Sequence, residues 1–192
     1  LKPAFNLQHG VDSEYIVWLA IGPQPTDTTT LIPFLKETEE YLTFKYQKII
    51  ADAGYESEEN YVFLDQNQQL AFIKPSNYEI SKKRKYRNDI GRIENMKYDE
   101  KSDSYICKNG KQLPFTHLRR SKSKTGYISE KNIYQCKECK DCPYKKECIK
   151  GNNCKTPIEE RNKVLSVAKT FLKYREEDLE RILSDEGILL VN

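Results

Sequence analysis

The chain has 192 residues, of which 32% are charged and 38% hydrophobic, with a mean hydropathy of −0.79. That length holds one sizeable core, or a core with a satellite module, and 13 Tyr, 7 Phe and 1 Trp make the chain too apolar to be disordered. No run approaches the ~18 apolar residues of a membrane span, no secretory leader opens the chain, and the net charge of +3 is unevenly spread. Between Lys101 and Lys155 there are 14 Lys/Arg against 5 Asp/Glu, a charge of +9, so the remainder carries 3 − 9 = −6. A basic block of this kind favours a polyanion as partner, beside the plainer reading of a solvated basic face.

In chain order, residues 4–22 (AFNLQHGVDSEYIVWLAIG) predict two strands around a turn at Gly10 to Ser13. The second, Tyr15 to Ile21, is a continuous apolar run suited to a sheet covered on both faces, with Trp18 in the core. In TDTTTLIPFLKETEEYL the period changes: Leu31, Phe34, Leu35, Thr38 and Leu42 recur at helical spacing, Asp27 or Thr28 offers an N-cap, and Pro33 is tolerated in the first turn. QKIIAD is a short strand, Ser57 caps a helix with Glu58 and Glu59 in its first turn, and QLAFIKP is a further strand closed by Pro75. The order β, β, α, β, α, β implies a largely parallel sheet with helices packed on it.

After Pro75 this pattern gives way to an insertion with its own small fold. Regular structure is expected again from Thr156, where Thr156 and Glu159 read as a capping box and Pro157 as the first helical residue. The apolar stripe Val164, Leu165, Ala168, Phe171, Leu172, Leu179, Ile182, Leu183 then predicts one long helix ending at Gly187. Three segments follow: 1–75, 76–155 and 156–192. The chain opens on Leu rather than Met and closes on the apolar GILLVN, so it reads as a piece of a longer protein.

All six cysteines, Cys107, Cys136, Cys139, Cys142, Cys148 and Cys154, lie in or near the basic block. Residues 136–148 have the spacing C-x2-C-x2-C-x5-C, in which short turns aim several sulfurs at one ion. With no secretory signal, metal ligation is the better reading than disulfides. A structural zinc is the leading assignment, with Cys107 as a fifth candidate ligand. A [4Fe–4S] cluster is the rival, because C-x2-C-x2-C followed by Pro is ferredoxin-like, although the fourth spacing differs. All-cysteine ligation leaves no open position for a substrate. Arg119, Arg120, Lys122, Lys124, Lys137, Lys140, Lys145 and Lys146 are candidate DNA-phosphate contacts, with Tyr127, Tyr134 and Tyr144 available for packing or stacking. His9 and His117 lack metal-pair spacing and read as surface histidines.

Asp52 ends the apolar run Ile49-Ile50-Ala51 and precedes a glycine turn, the edge of a parallel sheet where reactive groups gather. Position alone favours a turn or cap role for it. Asp27 and Asp65 have readings as cap and solvent face.

The blocks LKPAFNLQHGVDSEYIVWLAIGPQPTDTTTLIPFL, ADAGYESEENYVFL, SYICKNGKQLPF and YQCKECKDCPYKKECIKG, in that order, resemble bacterial insertion-sequence transposases of the DDE class, in the subgroup with a cysteine-rich insertion. The resemblance implies an α/β fold: a partial ribonuclease H-like core, a mixed sheet with flanking helices, with a zinc-binding cysteine-rich insertion. It implies a DNA transposase that cleaves and joins phosphodiesters at transposon ends with Mg²⁺ or Mn²⁺, in the bacterial cytoplasm and away from membranes, with a homodimer allowed for the full-length protein. In that family the second catalytic carboxylate sits in a D-x-G-Y turn, which Asp52-Ala53-Gly54-Tyr55 matches, making Asp52 the catalytic and magnesium-binding residue. The first carboxylate comes from an upstream strand and the third is a Glu in an R-x-x-x-E context beyond this chain. Arg175 and the acids of YREEDLE match that context poorly and read as the polar side of an amphipathic helix. One carboxylate of three implies a fragment inactive by itself. The alternative is a zinc-stabilised nucleic-acid-binding module with no catalysis, and a decayed remnant is a second rival.

Overall fold

The segment NLQHGVD and the apolar run after it form a hairpin. β1 (Asn6–Asp12) pairs antiparallel with β2 (Tyr15–Gly22), through a turn in which Ser13 has φ of 57°. The structure is a computed structural model that describes residues 4–151 and 155–191. It divides into two compact units, Leu1–Ser76 with Thr170–Asn192, and Asn77–Lys169.

In the first unit a 3-10 turn (Asp27–Thr29) leads into α1 (Leu31–Leu42), which ends at Thr43 in the left-handed region. β3 (Lys48–Ala51) runs out into a second 3-10 turn (Ala53–Tyr55), and α2 (Glu58–Gln66) starts at Ser57, whose hydroxyl accepts the Asn60 N–H at 3.1 Å. β4 (Leu70–Ile73) returns parallel to β3, in the register Ile49 to Ala71 and Ile50 to Phe72.

The second unit opens with the short helices α3 (Tyr78–Ser81) and α4 (Arg84–Arg87) and then forms a five-stranded antiparallel sheet in sequential order: β5 (Lys97–Asp99), β6 (Ser104–Ile106), β7 (Gln112–Lys122), β8 (Ile128–Gln135) and β9 (Val164–Val167). The single-turn helix α5 (Lys145–Cys148) lies in the cysteine segment between β8 and β9. The buried face of the sheet carries Tyr105, Leu113, Tyr134, Leu165 and Val167. Its rings touch as tilted or edge-on pairs, Tyr98 with Tyr105 and Tyr105 with Tyr134 both at 4.9 Å. Asp103 closes this cluster, accepting from the hydroxyls of Tyr98 (2.5 Å) and Tyr134 (2.8 Å), and those bonds hold its carboxyl below the usual range.

The chain re-enters the first unit through α6 (Lys169–Leu183) and ends with α7 (Asp185–Val191). Phe171 and Tyr174 of α6 pack on the core of Leu31, Ile49, Tyr61, Leu64, Ala71 and Ile73. Each such side chain contributes about 1.5–3 kcal/mol by leaving water.

Four sequence expectations are corrected. The first unit holds two separate two-stranded sheets, one antiparallel and one parallel, instead of one largely parallel sheet. β2 is not covered on both faces: Tyr15, Ile16, Leu19 and Ile21 are exposed, and Trp18 is half-buried against Tyr41. Residues 156–187 are not one helix. Ile158–Glu160 form only a 3-10 turn, and VLSV is taken by β8 as strand β9, because alternation buries Leu165 and Val167 on one face. Gly187 lies inside α7, not at a helix end. Lastly, the polar side of α6 is not wholly solvated. Asp178 is completely buried, accepting the Ile73 N–H at 3.2 Å and the Tyr61 hydroxyl at 3.2 Å. Arg175 makes a bidentate pair with buried Glu56 at 2.6 and 2.8 Å. Among the described residues no helix is long and apolar enough to cross a membrane.

Candidate functional site

Asp52 stands exposed at the carboxyl end of β3, with extended backbone dihedrals (φ −75°, ψ 175°), and its Oδ1 accepts the Gly54 N–H at 2.6 Å. The cap role and the strand-end position therefore coexist: one oxygen closes the turn, and among the described residues Oδ2 has no partner. Asp27, which the sequence suggested as a helix cap, caps nothing. Its Oδ1 accepts from Asn6 Nδ2 (2.7 Å) and Gln8 Nε2 (3.0 Å) on β1. Gln8, buried on that strand, also accepts from the hydroxyls of Thr30 (2.7 Å) and Tyr55 (3.0 Å). Asn60, also buried, ties the two 3-10 turns together through Thr28 O (3.2 Å) and Tyr55 O (2.7 Å).

This lattice brings two carboxylates over Gly54. Asp27 Oδ2 and Asp52 Oδ1 lie 2.8 and 2.9 Å from the point a Cβ at that position would occupy, so a side chain there would displace the two carboxylates. Burial, then Asp27 and Asp52, push the Tyr55 hydroxyl up to about 12. Sequence reasoning missed Asn6, Gln8 and Asp27. The available signal was two polar residues at alternate positions of a strand, which places both on one face.

Beside Asp52 lies a cavity of about 430 Å³, lined by Gln8 to Val11 of β1, Lys48 to Ala51 of β3, and Leu31, Phe34, Leu35 and Thr38 of α1. Among the described residues β1 pairs only with β2, and β3 only with β4, so both strands bordering the cavity have an unpaired edge.

In the second unit Cys107, Cys136, Cys139, Cys142 and Cys148 line one small cavity of about 20 Å³. Cys107 comes from the β6–β7 turn, Cys136 from the end of β8, and Cys148 from α5. All five are free thiols; Cys154 lies outside the described residues. The Lys163 N–H donates to Cys139 Sγ at 3.3 Å, and Gly91 packs so closely on the Cys148 carbonyl that a Cβ would stand 2.5 Å from it. Burial pushes the Cys136 thiol up to about 11 and raises that of Cys148. The Lys163 ammonium, lowered by burial, donates to Gly91 O (2.5 Å) and Cys148 O (3.2 Å) beside these sulfurs; sequence reasoning had not singled it out. As a donor set, five cysteines around an ion-sized space with an N–H on one sulfur fit a thiophilic cation. Still, no group of three or more His, Cys, Asp or Glu among the described residues has the arrangement that would hold a metal ion.

The candidate DNA contacts fall in two places. Arg119, Arg120 and Lys122 are exposed on β7, with Lys124 at its turn, whereas Lys137, Lys140, Lys145 and Lys146 surround the cysteines. Arg120 pairs with Glu130 at 2.7 Å, and Lys145 donates to the Glu159 carbonyl. Tyr134 is fully buried and unavailable for stacking, while Tyr144 is exposed. His9 and His117 are exposed on strands, and His9 lines the cavity beside Asp52.

Residues 106–191 match the family model described as Transposase DDE domain. No curated protein matches the chain, and no solved structure does. The matched stretch takes in three of the five sheet strands, β7, β8 and β9, with the last residue of β6, the cysteine cavity, α6 and α7, and begins after Asp52.

Proposed function

From the match of residues 106–191 to a transposase DDE domain we propose that the chain is a central portion of the catalytic domain of a bacterial DNA transposase, which cleaves and joins DNA phosphodiesters with divalent metal ions. The observation that carries this reading is the placement of Asp52. It is a carboxylate with an unengaged oxygen at the end of β3, beside a cavity bordered by two unpaired strand edges. Two-metal phosphoryl transfer requires several carboxylates converging from different elements. A further strand between β1 and β3 would join the two small sheets into one mixed sheet and bring its own side chains beside Asp52. That is the ribonuclease H-like core in which Asp52 would be the second carboxylate and a Mg²⁺ or Mn²⁺ ligand.

The described residues fit such a cation only in part. Asp52 offers one oxygen and Asp27 leans toward the same point, but Asp27 Oδ1 is already engaged by Asn6 and Gln8. No catalytic step is assigned to this chain by itself. Its own residues hold the Asp52 turn, and the fragment alone is inactive.

In the second unit the thiols of Cys107, Cys136, Cys139, Cys142 and Cys148 are assigned a structural zinc, four of them serving as ligands. The cation would supply cross-linking of three chain segments rather than chemistry, and Lys163 N–H would support Cys139 from outside the ligand set.

The test is a strand-transfer assay with Mn²⁺ and a pre-cleaved oligonucleotide bearing a free 3′-hydroxyl. It compares this chain with the longer polypeptide encoded by the surrounding reading frame. The longer polypeptide should join DNA, Asp52→Ala in it should abolish joining, and the 192-residue chain should be inert. Joining by the short chain overturns the fragment reading. Undiminished joining by the long Asp52→Ala variant overturns the role of Asp52. Inertness of the long polypeptide favours the non-catalytic nucleic-acid-binding alternative.

A further inference from the structure

β7 and β8 extend well past the core of their sheet. From Pro114 onward every residue of β7 is exposed, and the outer ribbon, Leu118–Lys122 paired with Ile128–Asn132, buries neither face fully. A two-stranded ribbon with no covered face is marginal in isolation. Its sequence is also lopsided, with Arg119, Arg120, Lys122, Lys124 and Lys131 against Glu130 alone.

The register sorts these charges onto two faces. Arg120 lies opposite Glu130, and the two are joined at 2.7 Å, so on that face, which also carries Leu118, Ile128 and Lys122, only Lys122 stays unpaired among the described residues. On the other face Arg119 lies directly opposite Lys131. Next to them Ser121 lies opposite Ser129, with hydroxyls 2.8 Å apart. Like charges directly opposite each other destabilise a strand pair. Here no acid separates them: Arg119 donates only to the Ser166 hydroxyl at 3.3 Å, and among the described residues Lys131 has no ion-pair partner. The sheet keeps a local repulsion on the one ribbon face that also presents hydroxyl donors.

We propose that the Arg119–Lys131 face of the β7–β8 ribbon is the surface that receives DNA phosphates. Arg119 and Lys131 would each neutralise a phosphate, the paired Ser121 and Ser129 hydroxyls would donate to phosphate oxygens, and Lys124 would extend the contact at the tip. A two-stranded ribbon is narrow enough for the major groove, about 12 Å wide, and a groove wall supplies phosphates along its length. The inference rests on the DNA-transposase reading and sharpens it. Arg120, the sequence's equal candidate, is committed to Glu130, whereas Lys131, which the sequence reading passed over, becomes a principal contact. The lysines around the cysteines become secondary.

The test is fluorescence anisotropy of a labelled 30-base-pair duplex of arbitrary sequence, titrated with the 192-residue chain between 50 and 300 mM salt. Each lost phosphate contact flattens the log–log salt slope by roughly 0.9. Arg119→Gln with Lys131→Gln should therefore flatten it by about 1.8 and weaken binding at 0.1 M salt by roughly tenfold or more. Arg120→Gln with Glu130→Gln, which leaves the net charge unchanged, should alter neither quantity. Lys36→Gln with Lys173→Gln, in the other unit, removes the same two charges and should have little effect. Circular dichroism confirms that each variant is folded. If the Arg119/Lys131 variant binds like the parent chain, the ribbon assignment is overturned while the transposase reading stands. If the Lys36/Lys173 variant weakens binding as much as the Arg119/Lys131 variant, the effect is net charge and the assignment is also overturned. No salt-dependent binding by the parent chain sinks the ribbon surface outright, and the strand-transfer assay of the longer polypeptide then judges the transposase reading separately.

Discussion

Asp178 is the residue whose environment departs furthest from what its place in the sequence suggests. In YREEDLE it looks like one of a run of solvated acids, yet it is completely buried, and burial pushes its carboxyl up to about 6 against the opposing hydrogen bond from the Ile73 N–H and the nearby Arg181. An unfolded Asp titrates near 3.9, so the folded chain binds this proton more tightly than the unfolded one. The resulting stabilisation is full below about pH 4 and is lost as pH rises through about 6. Asp178→Asn keeps an acceptor for the Ile73 N–H but cannot titrate. The stability difference between parent and variant, measured by urea unfolding from pH 4.5 to 7.5, should shift against the parent by roughly 2 kcal/mol over that range. Parallel pH profiles for the two chains would show that Asp178 titrates normally. The same position explains why the acids of α6 do not stand in for a missing catalytic group: Asp178 and the Arg175–Glu56 pair anchor the helix to β4 and to the turn after Asp52.

Among elements, the cysteine segment links sequence to fold most directly. Its spacing alone predicts sulfurs brought to one place, and the structure lines a single small cavity with five of them, drawn from the β6–β7 turn, the end of β8, the loop beyond it and α5. With structural zinc there, elemental analysis of the purified chain should give about one zinc per molecule. A chelator should then lower the melting temperature of the antiparallel unit, and Cys139→Ser should reproduce that loss. Iron with inorganic sulfide would instead assign a cluster, and a fully folded, metal-free chain would reduce the cavity to packed thiols. The hairpin, α1, the strand into Asp52 and the Ser57 cap were legible because each is set by local pattern or by a cap within a few residues. β9 was not, because VLSVAK satisfies helical and strand periods alike, and only the long-range pairing of Leu165 with Tyr134 decides between them. The polar lattice of Asn6, Gln8 and Asp27 escaped for the same reason: its members are 2 to 21 residues apart, and folding alone brings them together.

At the scale of the molecule the first unit holds two small sheets. Its two pairs of strands each leave an edge on the cavity beside Asp52, and Ile50 of β3 stays 47% exposed. Unpaired edges of this kind are templates for another strand. If a strand from the longer polypeptide occupies that position, its effect on this unit is measurable without any catalysis. Amide hydrogen exchange of the longer polypeptide should show new protection at the edge N–H groups of residues 8–11 and 48–51. The strand adds a full set of ladder hydrogen bonds and covers side chains such as Ile50, worth a few kcal/mol together. At about 2–4 °C per kcal/mol for a chain of this size, the melting temperature should rise by at least about 5 °C. Protection confined to other segments would mean that the cavity is not a strand site, and the mixed-sheet account of the Asp52 neighbourhood would fall with it. Protection of both edges would make the Asp52 carboxylate the inner wall of a completed sheet edge, where the carboxylates of an inserted strand could meet it.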